Sequence, residues 1–168
     1  YEEGNYYADI SNSEFADLRS YLLARLMWEP YLDYDAEMDG FLQAYYGDGW
    51  QYIREYIDMT TAKTGNNGLH TTIGSEMNDR AVLNLKPNEI DYINNLWAKA
   101  KELAPNDYYL TNVRRSEISW RYWKANNRFS EYSVVGNPFG WYTENGKLYK
   151  DFKAFGIMRI REARALSD

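Results

Sequence analysis

The chain has 168 residues, enough for one domain with a core of its own. Acidic residues outnumber basic ones 25 to 19, and the net charge of −6 repels phosphate, so nucleic acid is excluded as a partner. The absence of cysteine excludes disulfides and thiolate metal sites without fixing the compartment, while the lack of an apolar run near ~20 residues or a signal-peptide pattern excludes a membrane segment.

The chain opens on Tyr1 and not on Met, which is expected of an excised or processed piece. Its aromatic content is 17%, led by 17 Tyr and 6 Trp. Amphipathic rings suit half-buried surfaces such as domain interfaces and sugar-binding faces, and they equally fill a helical core and its rim.

In chain order, Ser11 and Glu14 stand at capping-box spacing, and Phe15, Leu18, Leu22 and Leu26 recur at helical spacing. Residues 12–28 therefore read as an amphipathic helix, ended by Pro30, because the residue before a proline is pushed out of the helical region. Asp33 is an apt N-cap for a second helix, with Asp35 and Glu37 complementing its positive end. Met38, Phe41, Leu42 and Tyr45 form its apolar stripe, and Gly47 supplies a left-handed cap. A third helix follows over residues 48–63, with Trp50, Ile53 and Ile57 on one face.

Residues 64–86, which include TGNNGLHTTIGSE, change character and mark irregular chain. A connection this long inside a compact domain is usually functional or anchored elsewhere. Pro87 then takes a favoured first helical position, and Ile90, Ile93, Trp97 and Ala100 carry a fourth helix to about Ala104. Pro105-Asn106-Asp107 breaks and recaps, so that Tyr109, Val113, Trp120 and Trp123 define a fifth helix towards Asn127. The irregular SVVGNPFGWYTENG leads to a last short helix with Leu148, Phe152 and Phe155, ended at Gly156. Beyond it, Ile157 to Ile160 run extended or continue helical through REARAL, and the pattern does not choose between the two. The whole reads as an all-α domain, an irregular bundle of five to six helices in antiparallel pairs with long irregular connections.

Few constellations carry chemistry. The acidic run Asp33, Asp35, Glu37, Asp39 has Met38 and Ala44 where a helix–loop–helix calcium site needs Gly and a bidentate Glu, so it reads as helix N-terminal acids. His70 is the sole histidine, and with no cysteine it has neither a usual zinc set nor a thiol nucleophile. Its plain role is a local hydrogen bond; its functional one is to reach a ligand or a neighbouring domain. Glu2 and Glu3 invite a glycosidase reading, which needs two carboxylates across one bond. Adjacent residues on an extended strand face opposite ways, so these two cannot form that pair. No cofactor and no metal is expected.

Taken together, YEEGNY, SEFADLRSYLLARLMWEP, DAEMDGFLQAYYG, YIREYID, GLHTTIG, the Asn88–Leu103 helix and FKAFGIMRIREA resemble the bacterial family grouped as domain of unknown function 4838. The most specific piece is LLARLMWEP followed by an Asp about a turn later and then by Tyr-Tyr-Gly. A similar layout, with a Trp-Asp-Pro corner, follows the barrel of α-glucuronidase-type glycoside hydrolases; here the acidic corner residue is Glu29.

The resemblance implies that the chain follows a (β/α)₈ catalytic barrel. Residues 1–11 would be the end of a barrel strand and its loop, 12–28 the last barrel-type helix, and 29–168 the C-terminal helical domain. The Trp28-Glu29-Pro30 corner would mark where the chain leaves the barrel. Glu2 and Glu3 would then orient substrate near the mouth, where barrel ligand groups gather. His70, or Trp141 and Tyr142, would line the cleft. The main catalytic carboxylates would lie upstream, so this chain alone would have no catalytic residues, and its surplus rings would pack on the barrel. The implied partners are that barrel and a glycan, in a secreted or cell-surface bacterial setting. The alternatives are a helical carbohydrate-binding module and a self-associating one.

Overall fold

The computed structural model describes residues 14–66, 80–127, 129, 144–157, 159–161 and 164–165. It is an irregular all-α bundle: α1 (Ala16–Trp28), α2 (Tyr34–Tyr46), a single 3-10 turn (Gly47–Gly49), α3 (Trp50–Asn66), a one-turn α4 (Arg80–Leu83), α5 (Pro87–Glu102), α6 (Asp107–Asn126) and α7 (Glu144–Ala154). A small antiparallel ladder of β1 (Arg159–Arg161) and β2 (Arg164–Ala165) follows, pairing Arg159 with Ala165 and Arg161 with Arg164. Of the two courses the sequence left open beyond Ile157, the extended one is taken at 159–161.

The helix ends follow local chemistry in most places. The Asp33 side chain accepts from the Ala36 N–H at 3.1 Å, and the Asn106 side chain accepts from Tyr108 N–H at 3.0 Å. At the start of α5, the Glu89 carboxylate accepts the Lys86 N–H at 2.8 Å and pairs with Lys63 from α3 at 2.6 Å. Helix α7 closes in a Schellman motif: Ile157 N–H bonds Phe152 O at 2.8 Å, Gly156 N–H bonds Lys153 O at 3.1 Å, and Gly156 has φ of 68°. Gly47 also has positive φ, 66°, but its ψ of −146° lies outside the left-handed helical region, in a conformation open only to glycine.

Several bounds are corrected: the third helix begins at Trp50 after the 3-10 turn and runs to Asn66, and the stretch 64–86 read as irregular holds the one-turn α4 at Arg80–Leu83. The first helix begins at Ala16 and not at residue 12, after a Phe15 held at φ 50°. Glu14, expected to complete a capping box with Ser11, accepts a hydrogen bond from the Tyr56 hydroxyl at 2.6 Å. Ser11 itself lies outside the described residues.

The main core gathers residues from α1, α2, α3, α5 and α6, with Leu42, Tyr46, Ile53, Ile93, Trp97 and Trp120 among its most buried members. Its centre is aromatic. The Tyr56 and Trp97 rings lie 5.0 Å apart, Trp120 stacks on Trp123 at 5.1 Å, and Phe15 stacks on Trp97 at 6.4 Å. Leu18 and Leu22 place α1 in this same core. A second, smaller cluster of Ile118, Leu148, Phe152 and Ile157 fastens α7 to α6. The turn between α2 and α3 lies tight against α5, because Gly49 has no side chain: a Cβ there would sit 2.5 Å from the Ala100 carbonyl oxygen.

Candidate functional site

The five residues singled out by sequence as substrate-binding candidates, Glu2, Glu3, His70, Trp141 and Tyr142, all lie outside the described residues. What the structure does bring together is a set of polar ties around α1, α2 and α3, and an aromatic corner that they hold in place.

Four tyrosines tie helices through carboxylates. Tyr21 of α1 donates to Glu37 of α2 at 2.6 Å, Tyr45 of α2 donates to Asp17 of α1 at 2.8 Å, Tyr56 of α3 donates to Glu14 at 2.6 Å, and Tyr92 of α5 donates to Glu55 of α3. Tyr46 adds a fifth tie, to Ser116 of α6 at 2.7 Å. A phenol that buries its ring and donates its hydroxyl to a carboxylate uses both of its chemical faces. Five of the 17 Tyr and four of the 25 acidic residues are used in this way.

Two of these ties carry perturbed acids. The Arg25 guanidinium grips Glu37 through two nitrogens, at 3.0 and 2.8 Å, and together with the Tyr21 hydroxyl it holds the Glu37 carboxyl down at about 2. Glu14 shifts the other way. The residue as a whole is open to solvent, yet its carboxylate sits part-buried under the Tyr56 hydroxyl. That burial raises its pKa, against the opposing hydrogen bond from Tyr56 and the Arg19 charge. Tyr56 is raised well above the ordinary phenol range by its own burial and then by the neighbouring carboxylate.

The acidic run at the start of α2 is likewise occupied. Arg54 of α3 reaches Asp39 at 2.6 Å, Asp35 at 2.8 Å and Asp58 at 3.0 Å, so one guanidinium serves three carboxylates. These acids join α2 to α3 and neutralise a cation.

The corner itself lies between α1 and α2. Helix α1 ends at Trp28, with the Glu29 N–H bonded to Arg25 O at 2.8 Å, and Pro30 follows as expected from the sequence. Here Met27 is 72% exposed, Trp28 87% and Tyr31 99%, with Tyr34 at 47%. Nothing in the described residues hydrogen-bonds the Trp28 indole, the Tyr31 hydroxyl or the Tyr34 hydroxyl. The sequence flagged the Trp-Glu-Pro corner but not this cluster. A signal existed: Met27 lies nine residues beyond buried Leu18, about two and a half turns, and so on the opposite face of α1.

The corner falls within the stretch that matches a family model, described as Domain of unknown function (DUF4838), over residues 1–58. The match covers about a third of the chain and is a likeness of that stretch alone. The match runs through α1, α2 and the first half of α3, so the corner and its Arg25–Glu37 and Arg54 ties all lie inside it. No curated protein matches the chain, and no solved structure does.

Proposed function

We propose that this chain is the C-terminal helical part of a carbohydrate-active, glycoside hydrolase-like protein, and that it packs against an upstream catalytic barrel without itself hydrolysing a substrate. The observation that supports this most is the exposed corner of Met27, Trp28, Tyr31 and Tyr34, set on a framework whose other large rings are largely used internally. Trp97, Trp120 and Trp123 are buried in the bundle's own core. Among the described residues, three of the five exposed rings lie where the chain would leave the barrel, the others being Tyr92 and Tyr108. Exposed apolar clusters of this kind mark contact surfaces.

On this reading the described carboxylates are structural. Glu14, Asp17, Glu37, Asp35 and Asp39 are each committed to a tyrosine or an arginine. Glycoside hydrolysis instead needs two carboxylates free to address one bond. The catalytic pair would come from the barrel, with Glu2 or Glu3, His70 and the Trp141-Tyr142 pair as contributions of this chain to the substrate cleft. The setting would be secreted or cell-surface in a bacterium.

The test is to express the chain joined to its native upstream sequence and to assay aryl glycosides and uronic-acid glycans. Hydrolysis by the longer protein, with none by the 168-residue chain, is the expected result. Inactivity of the longer protein across a broad panel of glycosides would overturn the enzymatic part. A second reading, an autonomous carbohydrate-binding or self-associating module, draws on the unpartnered polar tips of Trp28 and Tyr31. Glycan binding measured by calorimetry and sedimentation of the isolated chain address its two forms.

A further inference from the structure

We infer that the Met27–Tyr34 corner is a docking knob for a protein face that presents an apolar hollow rimmed by lysine and arginine. The inference rests on the barrel-packing reading for the partner's identity, and on the corner alone for the partner's chemistry.

Shape argues for a protein. A small-ligand site is concave and encloses most of its ligand. Tyr31 is 99% exposed and Trp28 87%, so among the described residues neither has walls around it, and a sugar laid there would remain in water. Side chains that project so far can be enclosed only by a concave face on a partner. Trp, Tyr and Met are also the residues enriched at interface cores, with Trp and Tyr dominating the energetics.

Charge argues for the rim. From Arg25 to Glu37 the sequence places four carboxylates and one guanidinium, with no lysine. That guanidinium is already held by Glu37 at 2.8 Å, with Glu29 at 3.9 Å. The next nearest cation in these ties, Arg54, is shared among Asp35, Asp39 and Asp58. Glu29 and Asp33 are left at the edge of the rings, with the Glu29 side chain 60% exposed. The flank of the corner is therefore net negative, and a positive rim complements it. The same fact disfavours a second copy of this chain, since an isologous contact would set one acidic flank against another.

Rigidity argues for docking in the geometry seen. The Arg25–Glu37 fork, the Tyr21–Glu37 bond and Pro30 fix the corner before any partner arrives, so little ordering remains to oppose association.

Hydroxyl-radical footprinting tests this on the 168-residue chain and on the same chain joined to its native upstream sequence. In the longer protein the modification rates of Trp28 and Tyr31 are expected to fall by about ten-fold or more, as enclosure in a dry interface core requires. Tyr108, exposed elsewhere, reports the radical dose and stays unchanged. Glu29→Lys, which touches only a long 3.9 Å pair and leaves the fold intact, is expected to return much of the lost rate. So is raising salt from about 0.01 to about 1 M, which shortens the Debye length about ten-fold. Four results overturn the inference: equal rates in the two proteins, protection indifferent to both Glu29→Lys and salt, protection of the isolated chain that grows with its own concentration, and protection of the isolated chain by neutral or uronic-acid oligosaccharides. Glycosidase activity is read separately, so loss of the enzymatic reading and loss of the docking knob are distinguishable.

Discussion

Replacing Gly49 by alanine tests how closely the α2–α3 turn must approach α5. Gly49 is buried, and its new Cβ would lie 2.5 Å from the Ala100 carbonyl oxygen, 2.8 Å from Ala100 Cα and 3.1 Å from its carbonyl carbon. Ordinary contact begins near 3.4 Å, so the turn and the helix must part by almost an ångström. All three obstructing atoms are backbone of a helix whose Ile93, Trp97 and Ala100 are fully packed, so no side chain can rotate aside. Overpacking of this sort costs about 1–3 kcal/mol, and a backbone obstacle puts Gly49→Ala at the upper end. For a chain of this length about 3 kcal/mol lowers Tm by roughly 6–12 °C. Urea unfolding followed by far-UV circular dichroism should show the loss with an unchanged denaturant slope. The sharper control is Ala100→Gly. It removes only a methyl group, which is not what obstructs, so the double variant should show coupling within about 0.5 kcal/mol of zero. A loss below about 1 kcal/mol, or rescue by Ala100→Gly, would refute the backbone-contact argument.

Gly40→Ala should do the reverse: Gly40 sits inside α2 with nothing within 4 Å of its virtual Cβ, so helix propensity alone should raise stability by about 0.5–1 kcal/mol in the same unfolding assay. Trp28→Ala and Tyr31→Ser should leave the isolated chain's stability within about 0.5 kcal/mol of wild type, whereas Trp120→Ala should cost about 3–5 kcal/mol, because only Trp120 is enclosed. Glu37 is held at about 2 in the folded chain against an unfolded value near 4.5, so its contribution is present above pH 4.5 and lost as pH falls through 2. The stability difference between wild type and Glu37→Gln, followed by thermal melts from pH 6 down to pH 2, should accordingly shrink; a gap that stays constant over that window would contradict the assigned tie.

The sequence by itself determined the helices other than α4, which falls in a stretch read as irregular, and most of their ends. Apolar residues at helical spacing mark α5 through Ile90, Ile93, Trp97 and Ala100, all of which are buried. Caps and breakers at Pro30, Asp33, Gly47, Pro87, Asn106 and Gly156 placed the turns, because these act within a few residues of themselves. It also marked the Trp28-Glu29-Pro30 corner. Only the tertiary structure decided which rings are spent. Tyr56 lies off the expected stripe of α3 yet stands at the centre of the core, and Trp28, chemically the twin of Trp97, stands in solvent. The acid that completes each tyrosine's tie lies 16, 28, 42 and 37 positions away along the chain, too far for any local pattern to announce. The same distance hides the tie of Glu14 to Tyr56. Glu14 has the spacing of a cap, and nothing near it in sequence says that a hydroxyl from another helix will claim it.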